Sequence, residues 1–357
     1  FEVAKSLQKP VIIHAQTLKG KGYEKAEGFY ERWHGVGPFD IESGKAIGKS
    51  EKKSATELYS ESLLALADEN ENVVGITAAM PSGTGIDKLI QAYPERFWDV
   101  AIAEQHAVTS MAAMAKEGFK PFVTIYSTFM QRAYDQIIHD VCIMNLNVVF
   151  AMDRAGIVGE DGETHQGVFD ISFLNAIPNM TLFAPRCASS MKDAIWYAYK
   201  HQGPCALRYP RGPFLPCGTK ESAPFEYGKG ELLEEGKDIA FIGYGQGVGR
   251  AWQTKQLLKD RHKPALVDLR FVKPLDGKML THLAKKYKKW VIFSDSARSG
   301  GVGEILTVWL QDNGYKNINI VHTEFPDLFI PHGKTPDIEN FLGIAPKKIA
   351  EAFEKDN

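Results

Sequence analysis

Cysteine is scarce in this sequence: Cys142, Cys187, Cys205 and Cys217 are the only four in 357 residues. They are widely spaced, with no C-x-x-C pair and no regular framework. That excludes a disulfide scaffold or a zinc ribbon and fits reduced, mostly buried thiols. No apolar run approaches the ~18 residues that a membrane-spanning helix needs, so no membrane partner is expected. A charge excess is lacking too, since 42 Lys+Arg against 44 Asp+Glu leave −2. Nothing in that balance attracts nucleic acid or anionic lipid in general, and an anionic ligand would need a local cluster of cations. Internal repeats, low-complexity tracts and a legible leader are all absent. The opening "FEVAKSLQKP" has no initiator Met and reads as the middle of something longer.

What is present is an α/β pattern in two rounds. Residues 1–53 offer one β-like run, "KPVIIHAQT", then a Gly- and Lys-rich linker without periodicity. From Ser54, a plausible N-cap, "SATELYSESLLALADEN" reads as an amphipathic helix. The apolar runs "NVVGITA", "FKPFVTIYS" and "LNVVFAMD" alternate with helical segments, including "TFMQRAYDQIIHDVCIM". Such alternation implies a parallel sheet covered on both faces. The Pro- and Gly-rich stretch 212–230 marks a boundary, after which the cycle restarts through "DIAFIGYG", "PALVDLRF" and "KWVIFSDS". Two successive domains with mainly parallel sheets are therefore expected, at 54–217 and 226–357, after a strand-plus-linker arm.

Several stretches carry candidate chemistry. "FIGYGQGVGRAWQ" imitates a dinucleotide fingerprint, but Val248 and Arg250 stand where its last glycine would have to be. A tight strand-to-helix turn is the better reading. "DRAGIVGEDGETHQG" is less ordinary: it follows a strand directly and brings Arg154, Asp161 and His165 into one glycine-rich loop. Open α/β sheets bind ligands at such carboxyl ends, and the density of proton-transfer groups points to a site. Tyr126, Phe129 and Arg132 follow another strand and are read as ligand contacts, whereas His139 and Asp140 read as a structural pair. Arg211 in "LRYPRG" joins Arg154 as a second post-strand guanidinium, a pairing suited to a phosphate clamp.

These stretches, with "TLKGKGYEKAE", "WHGVGPFDIESGK", "AAMPSGTG" and "IAEQHAVT", run nearly the length of the chain. On them the sequence resembles the 1-deoxy-D-xylulose-5-phosphate synthases, a thiamine-diphosphate-dependent family of the transketolase superfamily. The resemblance implies a decarboxylating condensation of pyruvate with glyceraldehyde 3-phosphate, feeding isoprenoid, thiamine and pyridoxal synthesis. It implies a homodimer in the bacterial cytoplasm, or in a plastid stroma. The family's Gly-Asp-Gly segment, which holds Mg2+ and the cofactor diphosphate, has no counterpart here. The resemblance thus makes residues 1–53 the end of a diphosphate-binding domain, 54–217 a pyrimidine-binding domain and 226–357 a carboxyl-terminal domain. No metal ligands are expected in this chain, and the missing amino-terminal domain is expected to be required for activity.

Site roles follow from the same resemblance. Glu104 would meet the aminopyrimidine ring of the cofactor, and its surroundings of Ala, Val and Met would favour the protonated carboxyl. Phe129 would stack on that ring, Tyr23 would contact the cofactor, and Met80 would lie beside its thiazolium. Arg154 and Arg211 would grip the aldehyde's phosphate with Tyr126 close by. His34, Asp161 and His165 would surround pyruvate and its adduct, with Arg132 at the pocket's edge. Ala101 stands where the family usually has Gly, and "SDSARSGGVGE" is less acidic than its counterpart. The rivals are a β subunit of a 2-oxo acid dehydrogenase E1 component and an inactive fragment of the synthase. The first lacks "GKGY" and "GETHQG" from its pattern.

Overall fold

A computed structural model describes residues 1–29, 33–34, 36–48, 52–218, 221–258 and 262–355. The chain forms two compact units, Phe1–Glu51 and Lys52–Asn357.

In the first unit the only helix among the described residues is the short Glu2–Ser6. The expected strand at "KPVIIHAQT" does not form, and Ile12 is 96% exposed. A strand's backbone groups need another strand to pair with. The described residues of this unit supply one isolated bridge, Phe39 with Ala46. What organises the unit is an aromatic cluster, with Tyr23 set edge-on to Trp33 and Trp33 edge-on to Phe39.

The second unit holds two sheets. Strands β1 (Val73–Thr77), β2 (Phe97–Asp99), β3 (Lys120–Tyr126), β4 (Val149–Asp153), β5 (Thr181–Phe183) and β6 (Cys205–Arg208) run parallel in the order β5-β6-β4-β3-β1-β2. The other sheet contains β7 (Glu231–Glu234), β8 (Ile239–Gly243) and β9 (Ala265–Asp268). Between them in the chain lies β10 (Phe271–Lys273), which does not stay with its neighbours. It pairs antiparallel with β5 and closes the edge of the first sheet. With β11 (Lys289–Phe293) and β12 (Asn319–His322), the second sheet reads β12-β11-β8-β9-β7, parallel except at β7. The expected α/β class with mainly parallel, helix-flanked sheets is what forms.

Period-two alternation divides the first sheet's side chains between two cores. Phe150 and Met152 of β4 face Ala107, Val108 and Met111 of the helix Glu104–Lys116. Val149 and Ala151 face the opposite way, towards Leu63 and Ile195. With both faces covered, β1, β3, β4, β5 and β6 are buried along their whole length. The helix Ala55–Glu69 begins as expected at Ser54, through a reciprocal capping box with Glu57.

The run "TFMQRAYDQIIHDVCIM" departs from a uniform helix. It passes through α (Ser127–Met130), 3-10 (Gln131–Ala133), α (Tyr134–Gln136) and π (Ile137–Cys142) geometry. Irregular turns inside a helix often mark functional sites. Here they leave Arg132 aimed at Glu104 rather than simply lying along a face with His139. His139 and Asp140 do pair, at 2.8 Å.

Candidate active site

Five neighbouring strands deliver the site. Their order in the sheet is β6-β4-β3-β1-β2. At or just beyond their carboxyl ends stand, in turn, Arg211, Arg154, Tyr126 with Phe129, Met80 and Glu104. The row is graded: cations lie at one end, rings in the middle and an acid at the other.

Glu104 opens a thirteen-residue helix, where the dipole favours an acid, yet its carboxylate is only 3% exposed. Burial of this group was expected. The cation beside it was not: Arg132 Nη1 donates to both carboxylate oxygens, at 3.0 and 2.8 Å. The acid is thus poorly hydrated but charge-partnered. The chain reaches it under strain, with Ala79 at φ 61° and Ala101 at φ 56°, in the left-handed region that side chains avoid. Asp99 braces both bends, accepting from Ala79 N at 2.7 Å and Ala101 N at 3.0 Å. Asp99 is a member of the site that the sequence reading missed.

The rings form a stack. Tyr126 and Phe129 lie 5.7 Å apart at 14°, His165 meets Phe129 edge-on at 5.1 Å, and the Arg154 guanidinium sits 4.1 Å over the Tyr126 ring. Burial, partly offset by Arg154, pushes the Tyr126 hydroxyl up to about 12. Gly83 is required at its place, since a Cβ there would lie 2.1 Å from the Tyr126 hydroxyl oxygen. Met80 precedes it, capping the turn Pro81–Thr84.

Arg154 also occupies left-handed backbone, at φ 58°. Its Nη1 reaches the Gly83 carbonyl, Thr56 Oγ1 at 3.4 Å and Asp153 Oδ1 at 3.0 Å. Asp153 is fully buried and also accepts from Thr56 Oγ1 at 2.7 Å. Burial pushes its carboxyl above the usual range, with Arg154 and Thr56 pulling it back. Asp153 and Thr56 were not singled out from sequence, although an acid beside the first arginine of "DRAG" was a usable signal. The glycine loop closes through Gly156 and Gly167, which exchange backbone hydrogen bonds of 2.6 and 2.9 Å. Arg211 donates to the Val158 carbonyl at 2.7 Å and pairs with Asp161 at 3.3 Å. A cavity of ≈ 300 Å³ lies against both arginines, lined also by Thr56, Ser60, Ser82 and Lys88.

Tyr23 and His34 belong to the other unit. There Tyr23 OH donates to the Ile41 carbonyl at 2.7 Å, and His34 Nδ1 lies 2.8 Å from Lys19 Nζ.

With the geometry described, comparisons with known proteins place the chain. The family "Transketolase, pyrimidine binding domain" matches residues 51–214, and "Transketolase, C-terminal domain" matches 228–349. The chain belongs to the transketolase family. It is similar to the 1-deoxy-D-xylulose-5-phosphate synthase of Sulfurimonas denitrificans, 62% identical over 98% of this chain and 58% of that protein. The namesake from Campylobacter hominis is 62% identical over 100% of this chain and 59% of the relative. The chain therefore spans a little under three-fifths of those relatives' length. Among solved structures, a chain titled "Split gene transketolase, inactive beta4 tetramer" superposes with TM-score 0.75 at 26% identity, over 85% of this chain and 98% of that one. A transketolase from Campylobacter jejuni shares the fold, with TM-score 0.69 at 19% identity over 86% of this chain and 47% of its own.

The residues present suit the aminopyrimidine end of thiamine diphosphate. A buried carboxylate after β2 and a half-buried aromatic ring after β3 suit an aminopyrimidine. Among the described residues, no group of three or more His, Cys, Asp or Glu could hold a metal ion. No helix among them is long and apolar enough to cross a membrane.

Proposed function

We propose that this chain supplies the pyrimidine-binding and substrate-phosphate-binding parts of a 1-deoxy-D-xylulose-5-phosphate synthase. The reaction is the decarboxylating condensation of pyruvate with glyceraldehyde 3-phosphate. The graded row at the carboxyl ends of five strands carries this reading, and the 62% identity to proteins of that name supports it.

Thiamine diphosphate, when bound, supplies the nucleophilic carbon and the electron sink. Glu104 holds the proton shared with its aminopyrimidine nitrogen, Phe129 packs against that ring, and Met80 and Tyr23 complete the contact. Arg154 and Arg211 bind the aldehyde's phosphate, an anion suited to guanidinium forks. Tyr126 closes this subsite, its hydroxyl kept protonated by burial. His34, Asp161 and His165 orient pyruvate and exchange protons at its oxygens. Arg132 steadies Glu104 from the pocket's edge.

Residues 1–53 are then the end of a diphosphate-binding domain, with 54–217 and 226–357 as the two domains that follow. Mg2+ and the diphosphate are held by an amino-terminal segment, and the working enzyme is a homodimer. A split-gene transketolase of nearly this extent is titled inactive, which favours a chain that turns over only with that segment.

The deciding experiment supplies full-length protein with pyruvate and either glyceraldehyde 3-phosphate or a lipoyl domain. Release of carbon dioxide with formation of a five-carbon sugar phosphate is expected. Lipoyl acylation with no sugar phosphate would overturn the reading in favour of an E1 β subunit.

A further inference from the structure

Arg208 ends β6, and its side chain is only 4% exposed. Its guanidinium meets acceptors from three separate parts of the chain. Nε donates to Asp170 Oδ2 at 2.9 Å, while Nη2 donates to the Asp295 carbonyl at 2.9 Å and the Gly167 carbonyl at 3.4 Å. Gly167 is one of the two glycines that close the glycine loop. Asp295 follows β11, inside the stretch matched by the transketolase C-terminal domain.

The loop leans on that stretch at other points too. Ala297 N donates to the Val168 carbonyl at 2.8 Å, and a Cβ at Gly156 would lie 2.6 Å from Asp295 Cβ. Ile157 and Val168 share one buried apolar cluster with Phe325, Ile330, Ile338 and Ile344. Asp295 is itself held, because its carboxylate pairs with Arg250, which also pairs with Glu339 at 3.2 Å. Within the loop stand Asp161, paired with Arg211, and His165, edge-on to Phe129.

A buried ion pair is a weak source of net stability, since desolvating two charges offsets most of their attraction. What Arg208 adds is geometry. Its planar fork presents donors in fixed directions, whereas an ammonium is a point charge on a flexible stem. We propose that Arg208 is a positioning residue that fixes the glycine loop against residues 295–297 and so keeps Asp161 and His165 in place. Its effect on turnover rests on the function proposed above; the attachment of the loop does not.

Hydrogen exchange of the full-length protein, read by mass spectrometry, measures loop opening without reference to activity. Arg208→Lys keeps a charge opposite Asp170 and loses the fork. Amides of 156–168 should then exchange about tenfold faster, with those of β3 and β4 unchanged. Two further variants separate attachment from general loosening, and they decide the matter if Arg208→Lys does not fold. Ile338→Ala trims the loop's own apolar cluster and should speed the same amides. Ile349→Ala makes the same cut in a different cluster and should leave them at the parental rate. In Arg208→Lys, kcat/KM for glyceraldehyde 3-phosphate should fall about tenfold. The proposal fails if the loop amides keep parental rates, if exchange rises equally throughout the sheet, or if Ile349→Ala loosens the loop as Ile338→Ala does. A loosened loop with parental kcat/KM would also overturn it. A parent enzyme that forms no sugar phosphate would overturn the function proposed above, while the exchange rates would still decide the attachment.

Discussion

Arg132 binds both oxygens of Glu104, although the acid is 3% exposed and the arginine 47%. The pair is lopsided, because water reaches the cation and hardly touches the carboxylate. Removing the charge from the acid leaves a solvated arginine at little cost, so Glu104→Gln should unfold within about 1 kcal/mol of the parent. Its turnover in full-length enzyme should still fall by about two orders of magnitude or more. Removing the arginine strands a buried charge, and Arg132→Met should lose about 1–3 kcal/mol. Denaturant midpoints read with turnover check this. Near-parental activity in Glu104→Gln would end the assigned role of the carboxylate.

Asp153 makes a separate claim. It is fully buried, pairs with Arg154 at 3.0 Å and accepts from Thr56 at 2.7 Å. Its part is to set where the guanidinium points, since Arg154 is half of the proposed phosphate subsite. Asp153→Asn keeps the shape and weakens the anchor. KM for glyceraldehyde 3-phosphate should rise about tenfold, with KM for pyruvate unchanged. Steady-state kinetics on the full-length enzyme separate the two substrates, and equal shifts in both would contradict a subsite role.

The strained bends next to Glu104 give a stability prediction. Ala101 sits at φ 56° with no side-chain reason to be there. Ala101→Gly should relieve about 1 kcal/mol of left-handed strain. The control is Ala113→Gly, an exposed position inside the helix Glu104–Lys116, which should lose about 1 kcal/mol. Calorimetric Tm values should therefore move in opposite directions. A shared fall would show that the bend stores no strain.

What could be read ahead of the structure was whatever rests on local order. The strands β1, β3 and β4 and the Ser54-capped helix were legible, because apolar runs and caps act over a few residues. So was the gathering of Tyr126, Phe129 and Arg154, each at or just beyond a strand end. The pairing of Arg132 with Glu104 was not, since it depends on a change of helical pitch between Met130 and Ile137. The move of β10 into the other sheet left no trace in "PALVDLRF", which reads as one strand. "KPVIIHAQT" shows the converse: its composition is strand-like, yet it forms no strand where the described residues of its unit supply only one isolated bridge.

His201 lies outside the candidate site and makes the fold sensitive to acid. Its Nδ1 is 3.2 Å from Tyr197 OH, its ring stacks on Tyr227, and Lys120 Nζ donates to its carbonyl. Burial, and secondly the Lys120 charge, push the imidazole down from 6.5 to about 4. The unfolded chain therefore takes up this proton first as pH falls. Stability from the neutral ring is whole above about 6.5 and drains away as pH drops towards about 4. One pKa unit is about 1.4 kcal/mol, so partial exposure of the ring leaves a loss on the order of 1–3 kcal/mol. His201→Gln has no proton to take up and should keep more of its pH 7 stability at pH 4.5 than the parent does. Urea midpoints at the two pH values measure the difference. Parallel losses in parent and variant would mean that His201 charges as readily in the fold as outside it.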